Sequence, residues 1–245
     1  MPPSPLSQLN TFTLFGALHL LIIALLFILV SWITLSRSQK IINLQRLLVG
    51  GGLVAHIIIF HSYYLLIGQY DLARFLPFHL CSLSAILIAI SLLTRNKKIS
   101  TIAVYWAPVA ALLAILLPDM ASNQSLFSFR FLEFFVSHIL IAAGSFWLLC
   151  NQNLKFNWQT SLQSYLFLVG TLPPIYLINR WVDGNYMYMM NTPSGGQMNF
   201  LPTEPYHFLG LMVLVLLVFL GEMVAFGWLG RLRGGDTNSL DLVKN

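Results

Sequence analysis

Residues 206–229 read "YHFLGLMVLVLLVFLGEMVAFGWL", a run whose only Asp, Glu, Lys or Arg is Glu222. An apolar helix of about 20 residues crosses the hydrocarbon core of a bilayer. Six further stretches meet that length and character, at roughly 11–35, 47–67, 75–93, 100–117, 130–150 and 160–180. The fourth of the seven is the shortest and is expected to end sharply at Pro118-Asp119. None alternates with the two-residue period of a membrane strand. The expected fold is therefore all-α: a polytopic membrane helical bundle of seven transmembrane helices forming one domain. Composition agrees, because 57% of the 245 residues are hydrophobic and 9% are charged, against about 25% charged in soluble domains. Such a chain cannot cover itself with polar surface and needs lipid as its solvent.

The net charge of +5 does not point to nucleic acid, because the basic residues lie between apolar spans and form no patch on a folded face. Their placement reports topology instead. One set of loops holds Arg37, Lys40, Arg46, Arg95, Lys97, Lys98, Lys155, Arg231, Arg233 and Lys244; the other holds only Arg74, Arg130 and Arg180. Basic loops stay in the cytoplasm, so the N-terminus is expected outside and the C-terminus inside. Residues 230–245 are then a polar cytoplasmic tail that frays. The start, "MPPSPLSQLN", has no basic n-region, and the apolar run after it is too long for a signal sequence. The first span is expected to be retained, in a multi-pass protein of the cell membrane, the bacterial plasma membrane by this reading. The longest loop, 181–205, lies on the outer side and mixes turn formers with Tyr and Met. It reads as a lid or re-entrant cover, or as a plain connector.

Polar residues concentrate at one depth. With about 1.5 Å of rise per residue, Cys81 and His61 lie about 9 Å in from the outer ends of their spans, and His79 about 6 Å. His19 and His138 lie about 12 Å in and His56 about 16 Å. Arg130 and Glu133 open the fifth span from that side, and Asn179 and Arg180 close the sixth. The inner half is nearly free of such groups apart from Glu222, which is assigned no role. Ionisable residues inside a membrane are costly and mark a functional site by default. The competing reading is that each histidine bonds a neighbouring carbonyl.

Residues two apart on a helix point about 200° away from each other, so His79 is a poor base for Cys81. Pro77 is expected at the start of the helix, where a missing N–H costs nothing. A base for Cys81 then comes from another helix at matching depth: His138 or His61, with His19 behind them. Arg130, Glu133 and Ser137 share a face by i+3 and i+4 spacing; Arg130 and Glu133 either pair or present a cation to a lipid phosphate or carboxylate. Gly50-Gly51-Gly52 is expected to permit close helix packing, and Pro173-Pro174 to kink the sixth span. Cys150 reads as an inert small residue or an acylation site. The cysteines form no CxxC motif, and His56 and His61, five apart, do not share a face; no metal site and no cofactor are expected.

The stretches "LPFHLCSLSAILIAISLLTRNK", "LLPDM", "FSFRFLEFFVSHILI" and "DGNYMYM", in that order, resemble the bacterial YwaF-like membrane proteins, which belong with the animal transmembrane protein 164 family. The resemblance covers about residues 45–230. It implies acyl transfer between glycerophospholipids, with a membrane cysteine as acyl acceptor and a histidine beside it. By position those are Cys81 and His138.

Two function classes follow. In the first, Cys81, deprotonated by His138 or by His61, attacks an ester of a phospholipid or acyl-lipid substrate drawn from the surrounding membrane lipid, and an acyl thioester passes to an acceptor hydroxyl or to water. His79, Arg130, Glu133, Asn179, Arg180, Asn185 and Tyr186 then line the substrate site. In the second, the same polar cavity belongs to a small-solute or ion transporter or to a binding or sensory protein. No Gly-x-Ser-x-Gly elbow and no His-Glu-x-x-His is present.

Overall fold

Lipid offers no hydrogen-bond partner, so every backbone N–H and C=O within it must be paired inside the chain. The computed structural model describes residues 5–116, 128–192, 202 and 206–241, with side chains for 20–116, 128–192, 202 and 206–230. The described residues meet that demand with helices and contain no strand. In chain order these are α1 (Pro5–Leu35), α2 (Gln39–Leu66), α3 (Leu72–Phe75), α4 (Leu80–Thr94), α5 (Lys97–Trp106), α6 (Pro108–Leu116), α7 (Phe129–Asn151), α8 (Trp158–Val182) and α9 (His207–Asp241), with a 3-10 turn at Tyr186–Tyr188. Five segments are long and apolar enough to cross a membrane: α2, α5 with α6, α7, α8 and the first part of α9. Leu20–Leu35 of α1 and the whole of α4 are shorter apolar helices. Pro118-Asp119 lies outside the described residues.

The departures from the expected boundaries have identifiable causes. α2 starts eight residues earlier than its apolar run, because its polar residues find partners: Gln45 is buried and donates to the Trp32 carbonyl (3.1 Å) and to Ser36 Oγ (2.7 Å). Arg46 donates to the Leu92 carbonyl at the end of α4 (2.7 Å). α4 starts five residues later than expected, at Leu80. Proline disfavours the helical region for the residue before it, and Leu76 is extended at φ −64, ψ 145. Pro77 thus stands two residues before the N-cap, His79, and not in the first turn of the helix. Pro108 interrupts the fourth expected span and divides it into α5 and α6. α8 runs through Pro173 and Pro174, so the carbonyls of Val169 and Gly170 lack their helical donors. The backbone remains helical to Asp241, well into the stretch expected to fray.

Arg95 and Asn43 bond side chain to side chain, and Arg46 reaches the end of α4. The start of α2 and the end of α4 therefore meet at the end of the bundle rich in Lys and Arg. There Arg95, left-handed at φ 56, ends α4, and Asn96 caps α5 through Lys98 N (3.0 Å). Two cores result. The larger joins α1, α2, α4, α5, α6 and α7 around Leu53, Ile88, Leu92 and Ile141. The smaller joins α5, α8 and α9 around Tyr105, Trp106, Leu168 and Phe219. Side chains such as Leu66, Leu177 and Leu217 are exposed, an outer surface suited to lipid and not to water.

Small residues set how closely α2, α4 and α7 approach. A Cβ at Gly144 would overlap Ile88 Cγ2, one at Gly50 would meet Leu92 Cβ at 3.2 Å, and one at Gly52 would meet Leu140 at 3.4 Å. Gly51 faces open space, so the packing expected of the glycine triplet belongs to its first and third members. Gly144→Ala is expected to lower the thermal stability of the detergent-solubilised protein by about 1–3 kcal/mol, the usual cost of overpacking, while Gly51→Ala leaves it near wild type. Equal melting temperatures for the two variants would show that Gly144 is not a close-packing position.

Candidate functional site

The end of the bundle opposite Arg46 and Arg95 collects the polar residues expected to share one depth. Glu133, in the second turn of α7 and with a side chain 12% exposed, is held from two sides. Arg130 reaches its Oε2 at 3.3 Å from one turn earlier on α7, and His56 Nε2 of α2 lies 3.5 Å from its Oε1. His61 and His138 lie within electrostatic reach of both Glu133 and His56. The sequence marks His56 only by its depth and its distance from His61 along the chain. Its pairing with Glu133 spans the packing of two helices, and no local spacing signals it.

His138 is buried, and its Nδ1 lies 2.7 Å from the Phe134 carbonyl and 3.2 Å from Ser137 Oγ. A carbonyl can only accept, so Nδ1 carries the proton and Nε2 of the neutral ring is an acceptor. Nε2 makes no hydrogen bond among the described residues. His61 is held differently, with Nδ1 2.8 Å from the Tyr70 hydroxyl in the loop before α3. The side chain of His19 lies outside the described ones.

Cys81 is a free thiol in the first turn of α4, half-buried against the larger core. α4 packs on both α2 and α7, the helices that carry the histidines and Glu133. Among the described residues Cys81 makes no hydrogen bond to a histidine. His79 precedes it as the N-cap, with no side-chain capping bond. The helical argument that set His79 and Cys81 on opposite faces does not apply, because His79 lies outside the helix. Its ring instead sits 5.1 Å from that of Tyr186 and 5.6 Å from that of Tyr188.

The turn carrying those tyrosines is strained. Met187 (φ 58) and Tyr188 (φ 53) are both left-handed, a conformation that costs a side-chain-bearing residue about 1–2 kcal/mol. Three braces hold it. Asn179, buried on α8, accepts from Tyr186 N (2.7 Å) and donates to Tyr186 O (3.0 Å). His207 Nε2, at the start of α9, donates to Tyr188 O (3.0 Å). The Tyr186 hydroxyl donates to the Leu72 carbonyl (2.6 Å) and accepts from Leu76 N (2.9 Å). Tyr186 thereby pins the link that leads through Pro77 and His79 to Cys81.

Asn185 closes the next loop, bonding Met190 N, Asn191 N and Asn191 O. Asn179, Arg180, Asp183, Gly184, Asn185, Met190 and Asn191 line a polar cavity of about 270 Å³. Of the loop 181–205, expected as a lid or as a plain connector, Tyr186 and Tyr188 pack against the link between α3 and α4 at Leu72, Leu76 and His79; 193–201 and 203–205 lie outside the described residues. Two groupings emerge from the expected site residues. His61, His138, Arg130 and Glu133 gather around His56, whereas Asn179, Arg180, Asn185 and Tyr186 form the braced turn and its cavity, with His79 against the turn.

Burial pushes the Tyr186 phenol up to about 12 from its ordinary 10, so the hydroxyl keeps the proton it donates to Leu72. A raised value stabilises the fold fully below pH 10, and that contribution is lost as the pH climbs from 10 towards 12. Tyr186→Phe leaves one N–H and one carbonyl unpaired and is expected to cost about 1–3 kcal/mol. In a Cys150→Ser background it is also expected to speed maleimide alkylation of Cys81. Unchanged melting and alkylation, and an identical loss of stability above pH 10 in both proteins, would show that the hydroxyl braces nothing.

No curated protein and no solved structure matches the chain. The family model of the TMEM164 family matches residues 7–222, from the first apolar helix through to Glu222. That range holds the whole polar end of the bundle, and with the run of apolar helices it makes the chain a multi-pass membrane protein belonging to the TMEM164 family.

Proposed function

We propose that the protein transfers acyl chains between membrane lipids through a thioester on Cys81. The observation that carries this reading is the tautomer of His138, whose Nδ1 proton is committed to Phe134 O while Nε2 stays available as a base. In the proposed cycle the Cys81 thiol gives its proton to His138 Nε2, and the sulfur attacks an ester carbonyl of a phospholipid. The tetrahedral intermediate collapses with loss of the lysolipid oxygen, which takes the proton back from the imidazolium. An acceptor hydroxyl, deprotonated by the same nitrogen, then attacks the thioester and releases the thiol. Water in its place gives hydrolysis. Thioesters suit such relay because the thiolate is strongly nucleophilic and leaves readily.

Two surrounding features support the scheme. The first N–H groups of α4 have no side-chain cap, so they are placed to stabilise the oxyanion formed beside Cys81. Arg130, 47% exposed and paired with Glu133, is the cation that meets the lipid phosphate in this scheme. The cycle requires Cys81 to close on its base when substrate arrives, as catalytic hydrogen bonds often do.

The test is acyl trapping. Protein incubated with a phospholipid carrying a labelled acyl chain is expected to acquire hydroxylamine-sensitive label, absent in Cys81→Ser and slowed at least tenfold in His138→Ala. Label that persists in Cys81→Ser excludes Cys81 as the acyl acceptor. A second reading, a small-solute or ion transporter or a binding protein, is favoured by one observation: Cys81 has no hydrogen bond to a histidine among the described residues. It predicts a flux in proteoliposomes that survives Cys81→Ala and is lost in His138→Ala.

The same proposal includes seven crossings, with the N-terminus outside and the C-terminus in the cytoplasm of a bacterial plasma membrane. The meeting of Arg46 and Arg95 at one end of the bundle supports it. A green fluorescent protein fused to the C-terminus is expected to fluoresce in a bacterial host, and alkaline phosphatase fused there to be inactive. The reverse pattern overturns the orientation.

A further inference from the structure

Glu222 lies on α9, about 22 Å along the helix from His207 and thus far from the His56–Glu133 pair. It is 5% exposed, and neither carboxyl oxygen has a hydrogen-bond partner among the described residues. No described cation pairs with it. The carboxyl faces the backbone N–H of Val109 without closing a hydrogen bond onto it. Val109 is the second residue of α6, immediately after the break between α5 and α6. The break follows from sequence: Pro108 has no N–H to give to the Val104 carbonyl, and Ala107 turns to φ −107, ψ −48.

A broken membrane helix is a recurrent setting for ion and proton sites, because it exposes backbone groups of both kinds. Here the Val109 N–H and the positive end of α6 favour a carboxylate but close no hydrogen bond onto it. The titratable group facing Glu222 is Tyr105 of α5; Tyr165 of α8 lies further off, against Phe219. α6 and the described side chains of α9 near Glu222 contribute none. A buried carboxylate with neither a cation nor a closed hydrogen bond is unfavourable in lipid, and a proton is the smallest ligand that relieves it.

We propose that Glu222, at the break between α5 and α6, is an intramembrane proton-binding site that exchanges its proton with solvent, separate from the Cys81 site. Infrared difference spectroscopy of the full chain in lipid nanodiscs, wild type minus Glu222→Gln, tests it. At pH 7 the expected difference is the carbonyl stretch of a protonated carboxylic acid. It should shift in heavy water and disappear reversibly as the pH is raised.

A carboxylate stretch alone at pH 7 overturns the proposal. So does an acid band that neither shifts in heavy water nor responds to pH, since that acid exchanges nothing. Loss of the band on adding sodium chloride at constant pH assigns the site to sodium instead. Should Glu222→Gln fail to fold, dicyclohexylcarbodiimide on the wild type reads the same property, because it adds to the protonated acid. An adduct on the Glu222 peptide that diminishes with rising pH supports the proposal, and its absence overturns it.

Discussion

Inside a bilayer a polar group that does not find a partner in the protein finds none at all. That constraint shapes this molecule from its backbone to its polar end. It makes helices of the apolar segments, and it lets α2 begin at Gln39 only because Gln45 and Arg46 reach Trp32, Ser36 and Leu92. It also ties Glu133 to Arg130 and His56, and through that pair it joins α7 to α2 at the polar end.

The close packing and the polar site occupy the same three helices at different levels. Gly50, Gly52 and Gly144 bring α2, α4 and α7 together around Ile88, Leu92 and Leu140. Towards the other end the same helices carry His56, His61, Cys81, Glu133 and His138. A rigid contact at one level thereby holds costly side chains in place at another, which a functional site on apolar helices requires. The strained turn at Met187 and Tyr188 belongs to the same scheme. Its cost is offset by Asn179, His207 and Tyr186, and it presses two tyrosine rings against His79, directly before Cys81.

The polar end and Glu222 are two separate polar features of one bundle. The first is rich in contacts: Glu133 lies against Arg130 and His56, and His138 bonds the Phe134 carbonyl. The second is a lone carboxyl at a helix break. That difference accompanies the different work proposed for them, thioester chemistry in one case and proton exchange in the other.

Much of the architecture was legible in the chain because hydrophobic length and Lys/Arg placement act locally. Each expected apolar span falls largely on helix, the fourth on the pair α5 and α6, and the ion pair of Arg130 with Glu133 follows from i+3 spacing on α7. Pro77 and Pro108 act by local chemistry too, but the expected boundaries set Pro77 at the helix start and ran one span through Pro108, and the structure corrects both. What sequence periodicity could not supply is which faces meet. His56 and Glu133 are separated by 77 positions, and Tyr186 bonds Leu72 across 114. No helical period relates such residues, because their contact depends on how whole helices pack. The sequence by itself determined a bundle of apolar helices and the i+3 pair of Arg130 with Glu133. Only the tertiary structure decided that Glu133 would take His56, that Asn179 and Tyr186 would brace the approach to Cys81, and that Glu222 would face a broken helix, since each depends on distances set by packing between helices.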